Sequence, residues 1–374
     1  MVNRFLFQHI KNKLFSGKVI LLIGARQTGK STILKKLEKE ANKKTLFLDC
    51  DDPQIRDSLT NQSTPNLLRL VGSNDIVFID EAQRVENIGL SLKQIFDNKP
   101  KCQLVVSGSS AFELANKINE PLTGRKWEYQ LFPLSFAEMQ DHTSWLDENR
   151  LLETRLIYGY YPDVVNNPGN EIEILKNLTY SYLFKDILAF QEIRKPQLIQ
   201  KLLQQLAFQI ASEVSFNEIA QNLNVSVITV EKYIDLLEKS FIIFRLPSFS
   251  RNLRNELKKS RKIYFYDNGI RNMLISNFNS MNLRNDTGQL WENFLVSERL
   301  KKINYQNLYC NRYFWRTTQQ QEIDYIEEHS GKLFAFEFKW SEKKKQHISK
   351  TFSNAYPESE YQIINKENYH DFVV

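Results

Sequence analysis

At 374 residues, 42% of them hydrophobic, the chain is long enough for two or three domains and has ample material for their cores. Its net charge of +6 is modestly basic, which permits contact with nucleic acid or an acidic partner and demands neither. Three cysteines (Cys50, Cys102, Cys310) lie far apart and are odd in number, which excludes a disulfide framework and a cysteine metal cluster and fits a reducing compartment. The opening residues 1–7 lack a signal-peptide pattern, and no apolar run approaches the ~20 residues that span a bilayer. The expectation is a cytoplasmic protein with no membrane partner.

A β-branched run, Val19-Ile20-Leu21-Leu22-Ile23, feeds directly into Gly24-Ala25-Arg26-Gln27-Thr28-Gly29-Lys30-Ser31, a complete phosphate loop. The two glycines let the backbone curl with its N–H groups aimed at phosphate oxygens. Lys30 is expected to reach the β- and γ-phosphates and Ser31 to hold Mg²⁺. From Thr32 to Glu38 the apolar residues recur at helical spacing, so the loop opens a helix whose positive end faces the anion. The spacing predicts further strands at Thr45 to Asp49, Ile76 to Ile79, Leu104 to Val106 and Trp127 to Pro133.

The third strand is unbroken apolar sequence that delivers Asp80-Glu81 at its C-terminal edge, where open α/β sheets place their ligands. Asp80 is expected to bind Mg²⁺ through water and Glu81 to polarise the attacking water; the alternative is a pair of acids opening a helix near Ala82. The fourth strand ends in Ser107-Gly108-Ser109-Ser110, which puts hydroxyls beside the γ-phosphate or simply caps a helix from Ala111 to Lys117. Arg125 follows Leu122-Thr123-Gly124 and is a candidate arginine finger, in its own chain or a neighbour's, against an ordinary surface ion pair.

With Ile79-Asp80-Glu81-Ala82-Gln83, Phe132-Pro133-Leu134-Ser135-Phe136-Ala137-Glu138, Gly159-Tyr160-Tyr161-Pro162 and Leu183-Phe184-Lys185-Asp186-Ile187, the series resembles a prokaryotic family of AAA-type ATPases that carries a C-terminal domain of unknown function. Tyr160 stands where that family usually has a second glycine. The resemblance implies ATP binding and Mg²⁺-dependent hydrolysis, and covers most of the chain. The expected nucleotide set is Gly24, Ala25, Arg26, Gln27, Thr28, Gly29, Lys30, Ser31, Thr32 and Ser107, with Ser31 and Asp80 expected to hold the metal and Glu81, Lys30 and Arg125 as the candidate catalytic residues.

A turn-rich break from Pro162 to Gly169 is expected to be a hinge or a boundary after a small helical lid. Apolar residues at helical spacing from Gln197 to Ala211, a capping box at Ser215 to Glu218, a turn at Asn224 to Ser226, a helix from Thr229 to Glu238 and a strand at Phe241 to Phe244 make a winged helix-turn-helix pattern. The second helix is acidic (Glu231, Asp235, Glu238), and the basic charge comes later, in Arg251, Arg254, Lys258, Lys259, Arg261 and Lys262. That run suits a wing on phosphate or a solvated loop, and winged helices also dock proteins.

In the last third, Gly288 to about Lys302 reads as a helix carrying Glu292, and Glu322 to Ile326 and Leu333 to Trp340 as strands. If Ser330-Gly331 is a two-residue hairpin turn, Asp324 falls opposite Glu337, with Glu337 and Lys339 on one face. This resembles the restriction-endonuclease-like fold, with Glu292, Asp324, Glu337 and Lys339 as a second candidate metal site.

The expected fold class is α/β: an AAA-type P-loop core with a parallel sheet (1–140), a helical lid and connector (141–196), a winged helix-turn-helix (197–266) and a restriction-endonuclease-like domain (267–374). The expected function is a Mg²⁺-dependent ATPase coupled to its C-terminal domains and acting on or near nucleic acid, with ATP and Mg²⁺ as cofactors. Candidate partners are DNA or RNA, another protein through the winged helix, and further copies of the chain. The alternatives are an ATP-regulated protein-interaction module with an inert C-terminal site and an ATP-gated metal-dependent nuclease.

Overall fold

The computed structural model describes residues 2–109, 121–183, 196–250, 260–317, 319–341 and 349–374. Ser110, the helix expected at Ala111 to Lys117, Phe184 to Ile187, and Arg251, Arg254, Lys258 and Lys259 lie outside the described residues. Two compact units make up the chain: Met1–Leu134 with Lys239–Phe241, and Ser135–Glu238 with Ile242–Val374.

The first unit is built on strands β1 (Val19–Ile23), β2 (Thr45–Asp49), β3 (Ile76–Asp80), β4 (Gln103–Gly108) and β5 (Lys126–Gln130). They form one sheet in the order β2-β3-β4-β1-β5, with every pairing parallel. β1, β3 and β4 are buried at every position, as strands with apolar runs covered on both faces are, the polar residues Asp80, Gln103 and Ser107 standing only near the ends of β3 and β4. Helix α1 (Phe5–Lys13) precedes β1, α2 (Lys30–Glu40) follows the phosphate loop, and α3 (Ile88–Asn98) leads into β4. Because the strands are parallel, all their C-terminal ends share one edge, and the order puts β4 between β1 and β3 there.

Local chemistry explains where elements start. Gly24 has φ +154°, and a Cβ on it would stand 2.1 Å from the Leu131 carbonyl oxygen, so only glycine lets the loop leave β1 beneath the chain that follows β5. The helix expected near Ala82 is only a 3₁₀ turn, Ala82–Arg84, because Glu81 takes the left-handed conformation (φ 51°) and the regular helix starts at Ile88.

The second unit contains a helix Pro196–Phe208, then α4 (Phe216–Leu223) and α5 (Val227–Lys239), then an antiparallel pair β6 (Ile243–Pro247) and β7 (Arg261–Phe265). Ser215 caps α4 by accepting from the Glu218 amide. α6 (Asn268–Leu274) and the long α7 (Thr287–Tyr305) follow. The remaining sheet has the order β11-β10-β9-β8, from β8 (Asn311–Arg316), β9 (Glu322–His329), β10 (Lys332–Phe338) and β11 (Glu360–Ile364), with α8 (Lys350–Ala355) before β11 and α9 (Tyr369–Val373) after it. β9 runs antiparallel to both β8 and β10, and β10 and β11 are parallel. One face is sealed by Phe249, Trp315 and Phe352 over Leu333 and Ala335; on the other, Phe336 and Phe338 meet Phe372.

Candidate functional site: a phosphate loop and a lysine-filled acid cluster

The loop after β1 is folded around its own lysine. Lys30, 4% exposed, donates from Nζ to the Gly24 and Ala25 carbonyls at 2.9 and 2.8 Å, and the buried Thr28 hydroxyl donates to the Ala25 carbonyl at 2.8 Å. Gly29 (φ 99°) and Gln27 (φ 58°) supply the left-handed turns of the curl. Arg26, Gly29 and Ser31 are half-buried, and Gln27 and Thr32 are exposed.

On the same edge, the buried Asp80 carboxylate receives the Ser107 hydroxyl and, at 3.1 Å, the Glu81 amide. The Glu81 carboxylate receives the Gln83 side-chain amide, which also donates to Ser109 Oγ at 2.8 Å. Gln83 thus links the acid after β3 to the hydroxyl after β4. Glu81 is a non-glycine residue at positive φ, the kind of backbone strain that clusters at working sites. The hydroxyl of Ser31 and the carboxylate of Asp80 are hard oxygen donors of the kind Mg²⁺ takes, so the residues present fit a magnesium-bound nucleotide.

Arg125 does not join this edge. It precedes β5, its carbonyl accepts from the Val19 amide at the start of β1, and its guanidinium pairs with Asp97 at 3.4 Å. The length of β1, on the order of 15 Å, separates it from the loop, so it cannot offset charge on a nucleotide held by its own chain. Turn residues before a strand suggested a ligand loop; parallel pairing put them at the opposite edge.

Arg4 is the residue sequence reading missed. It is 9% exposed and donates to the Thr28 carbonyl at 2.6 Å and to the Phe132 carbonyl at 2.7 Å, joining the loop to the segment after β5. A lone arginine ahead of α1 carries no local signal of that role.

The second constellation sits at the junction of β7, α7, β9 and β10. Ser330 (φ 51°) and Gly331 (φ 80°) form the two-residue turn, and the pairing Lys332↔His329 through Phe336↔Tyr325 sets the register in which Asp324 and Glu337 follow as opposite neighbours. Lys339 Nζ donates to Glu337 Oε1 at 2.7 Å, and Asp324 Oδ2 accepts the Phe338 amide at 2.8 Å. Glu292 is turned to a different cation. Lys262, 2% exposed, places Nζ 2.8 Å from Glu292 Oε1, 2.5 Å from Glu322 Oε1 and 4.0 Å from Asp324 Oδ1, and Tyr264 Oη donates to Glu292 Oε1 at 2.7 Å.

Burial is the main cause that pushes the Glu292 carboxyl up to about 8, with Lys262 opposing and Asp324 adding to the rise. Burial, then the Asp324 charge, raises Glu337 to about 7. Burial would lower the Lys262 ammonium, yet Glu292, Asp324 and Glu322 outweigh it and hold it above its ordinary value. All these directions follow from a buried cluster in which carboxylates outnumber ammonium groups. Among the described residues no group of three or more His, Cys, Asp or Glu side chains is spaced to hold a metal.

Where it is described, the basic run is paired with acids, one of its residues buried and one at the surface. Lys262 is in this cluster, and Arg261 pairs with Glu231 of α5 at 3.4 Å. Arg245 of β6 bridges Asp235 at 2.8 Å and Glu238. The three acids that made α5 look repulsive to phosphate are therefore matched by arginines of the hairpin.

Comparison with known proteins now gives these elements a family. Residues 16–140 match the model of a family described as an AAA domain. The chain carries an AAA domain of the P-loop ATPase family. Behind the AAA domain, residues 149–281 match a domain of unknown function (DUF8612) and residues 287–372 a second one (DUF4143). Relatives include the uncharacterized protein Mb2031c of Mycobacterium bovis, 27% identical over 336 residues, or 88% of this chain and 72% of that protein. Another is the uncharacterized protein MJ1544 of Methanocaldococcus jannaschii, 23% identical over 341 residues, or 85% of this chain and 74% of that protein. A solved structure entitled "Structure of Drosophila ORC bound to AT-rich DNA and Cdc6" aligns over 72% of this chain and 88% of that chain at 12% identity. Its TM-score of 0.27 is too low to bear on fold or function. The AAA domain, with its five-stranded parallel sheet and lysine-bearing loop, is an ATPase-type nucleotide-binding module. Among the described residues no helix is long and apolar enough to cross a membrane.

Proposed function

We propose that the chain is a Mg²⁺-dependent ATPase whose turnover is transmitted to its C-terminal elements. The observation that carries this reading is the convergence, at one edge of the sheet, of a buried lysine bonded to its own loop with the Asp80, Ser107, Glu81, Gln83 and Ser109 network. When a triphosphate enters, Lys30 exchanges two backbone carbonyls for phosphate oxygens, and amides of the loop from Gly24 to Thr32 surround the anion. Ser31 and, through water, Asp80 would hold Mg²⁺, which supplies neutralisation of phosphate charge. Glu81 accepts the proton of the attacking water, oriented by the Gln83 amide.

In this reading residues 141–196 serve as lid and connector and 197–266 as a winged helix-turn-helix, supported by the succession of α4, α5 and the β6–β7 hairpin. Residues 267–374 serve as a restriction-endonuclease-like module, supported by the order α7, three antiparallel strands, α8 and the parallel β11. Action on or near nucleic acid is supported by the net charge of +6 and by the neutralised acids of α5. A second reading, docking of a protein partner, is favoured by Ile228, 78% exposed near the start of α5.

Glu81→Ala tests the central claim. It should bind ATP like the wild type in calorimetry and lose about 10²-fold or more in turnover; undiminished turnover rejects Glu81 as the base.

A further inference from the structure

The acid cluster between β7, α7 and β9 is organised around a side chain that has no place in a metal-dependent nuclease. Lys262 is not a mobile surface lysine: it is 2% exposed, and its backbone pairs with Leu246 of β6 on one side and bridges Glu213 on the other. Its ammonium lies 5.6 Å from the ring centroid of the fully buried Phe314. From that fixed position it touches Glu292 and Glu322 and reaches to 4.0 Å from Asp324. The remaining acids have partners of their own, Glu337 with Lys339 and Asp324 with the Phe338 amide. Arg316 adds a further cation, 3.7 Å from Glu322.

We propose that Lys262 is the resident cation of this cluster: it occupies the place a divalent metal would take and fastens the β6–β7 hairpin to α7 and β9, so that residues 287–372 work as a locked structural module rather than a metal-dependent nuclease. The physical reason is competition. A magnesium ion needs near-octahedral oxygen donors at ~2.1 Å, and it would have to expel a buried ammonium from three carboxylates to gain them. The expelled ammonium would be left buried without its counter-ions. An ammonium held by its own strand is also present at unit effective occupancy, whatever the metal concentration.

The test uses the nucleotide-free full-length chain and Mn²⁺ as the probe, followed by calorimetry and thermal unfolding, in the wild type, Asp324→Asn, Lys262→Met and Lys262→Met/Asp324→Asn. The wild type and Asp324→Asn should respond to Mn²⁺ alike. Lys262→Met should gain Mn²⁺ affinity by about tenfold or more and melt higher when Mn²⁺ is added, and the double variant should lose both gains. A wild type whose Mn²⁺ binding disappears in Asp324→Asn overturns the proposal, as does Mg²⁺-dependent DNA cleavage that requires Asp324. A folded Lys262→Met that gains no affinity overturns it too. Should Lys262→Met fail to fold, the comparison of wild type with Asp324→Asn decides alone: equal Mn²⁺ response supports the proposal, and a response lost with Asp324 refutes it.

Discussion

Arg4 closes two backbone carbonyls that the nucleotide loop would otherwise have to satisfy in some other way, at Thr28 and at Phe132. Hydrogen bonds from a charged donor are worth ~1.5–3 kcal/mol, and buried carbonyls left unpaired carry their own penalty. Arg4→Met should therefore lower stability by on the order of 2 kcal/mol and weaken ATP binding, with Arg4→Lys between the two. Urea unfolding and an ATP titration measure both effects; an Arg4→Met variant that binds ATP like the wild type would make the clamp irrelevant to the loop. The same scale holds the surprises in charge. Arg261 and Lys262 read as outward cations in the sequence, yet they pair with Glu231 and with the acid cluster, while Arg125 makes the surface ion pair, with Asp97, that stood against an arginine finger. Nothing in an arginine's or lysine's immediate neighbours says which carboxylate the fold will bring to it.

At the scale of elements, the turn into α6 shows how one side chain joins segments distant in sequence. Asp267 caps α6 by accepting the Ile270 amide at 3.1 Å and receives the Tyr160 amide at 2.7 Å. A Cβ on Gly159 would stand 2.1 Å from its Oδ1, so the glycine makes room for the carboxylate. Asp267→Ala should destabilise by roughly 2–4 kcal/mol, since it strands two buried amides. Burial raises the Asp267 carboxyl above its ordinary 3.8, against the opposing amides and Lys301. The folded chain then holds this proton more tightly than the unfolded one, so the group's contribution is full below the unfolded value and is lost as pH rises through the folded one. Relative to Asp267→Asn, which does not titrate, wild-type stability should fall as pH rises above about 4 in urea unfolding; parallel pH profiles would refute this. Elements with strong local signals were legible: β1, the loop and α2, the Ser215 cap, and the hairpin at Ser330-Gly331. α1 was not, nor was the shift of the helix start from near Ala82 to Ile88, where the left-handed backbone of Glu81 goes against its residue's propensity.

At the scale of the whole molecule, the prediction concerns the output of ATP turnover. Duplex DNA should raise turnover at low salt and lose that effect as salt increases, the signature of released counterions. Turnover indifferent to DNA at every salt concentration would leave the exposed Ile228 face as the output, and with it a protein partner. By itself the sequence determined β1, its lysine-bearing loop and the register that sets Asp324 opposite Glu337, because each follows from residues within one turn or one strand of each other; the AAA domain was legible only through the resemblance its scattered motifs carry, and the α/β sheet through the alternation of strands and helices. Only the tertiary structure decided that Arg125 stands at the far edge of the sheet, that Arg4 clamps the loop and that Lys262 fills the acid cluster. Those placements depend on which strands and helices become neighbours across many intervening residues, and burial turns that adjacency into a requirement for paired charge.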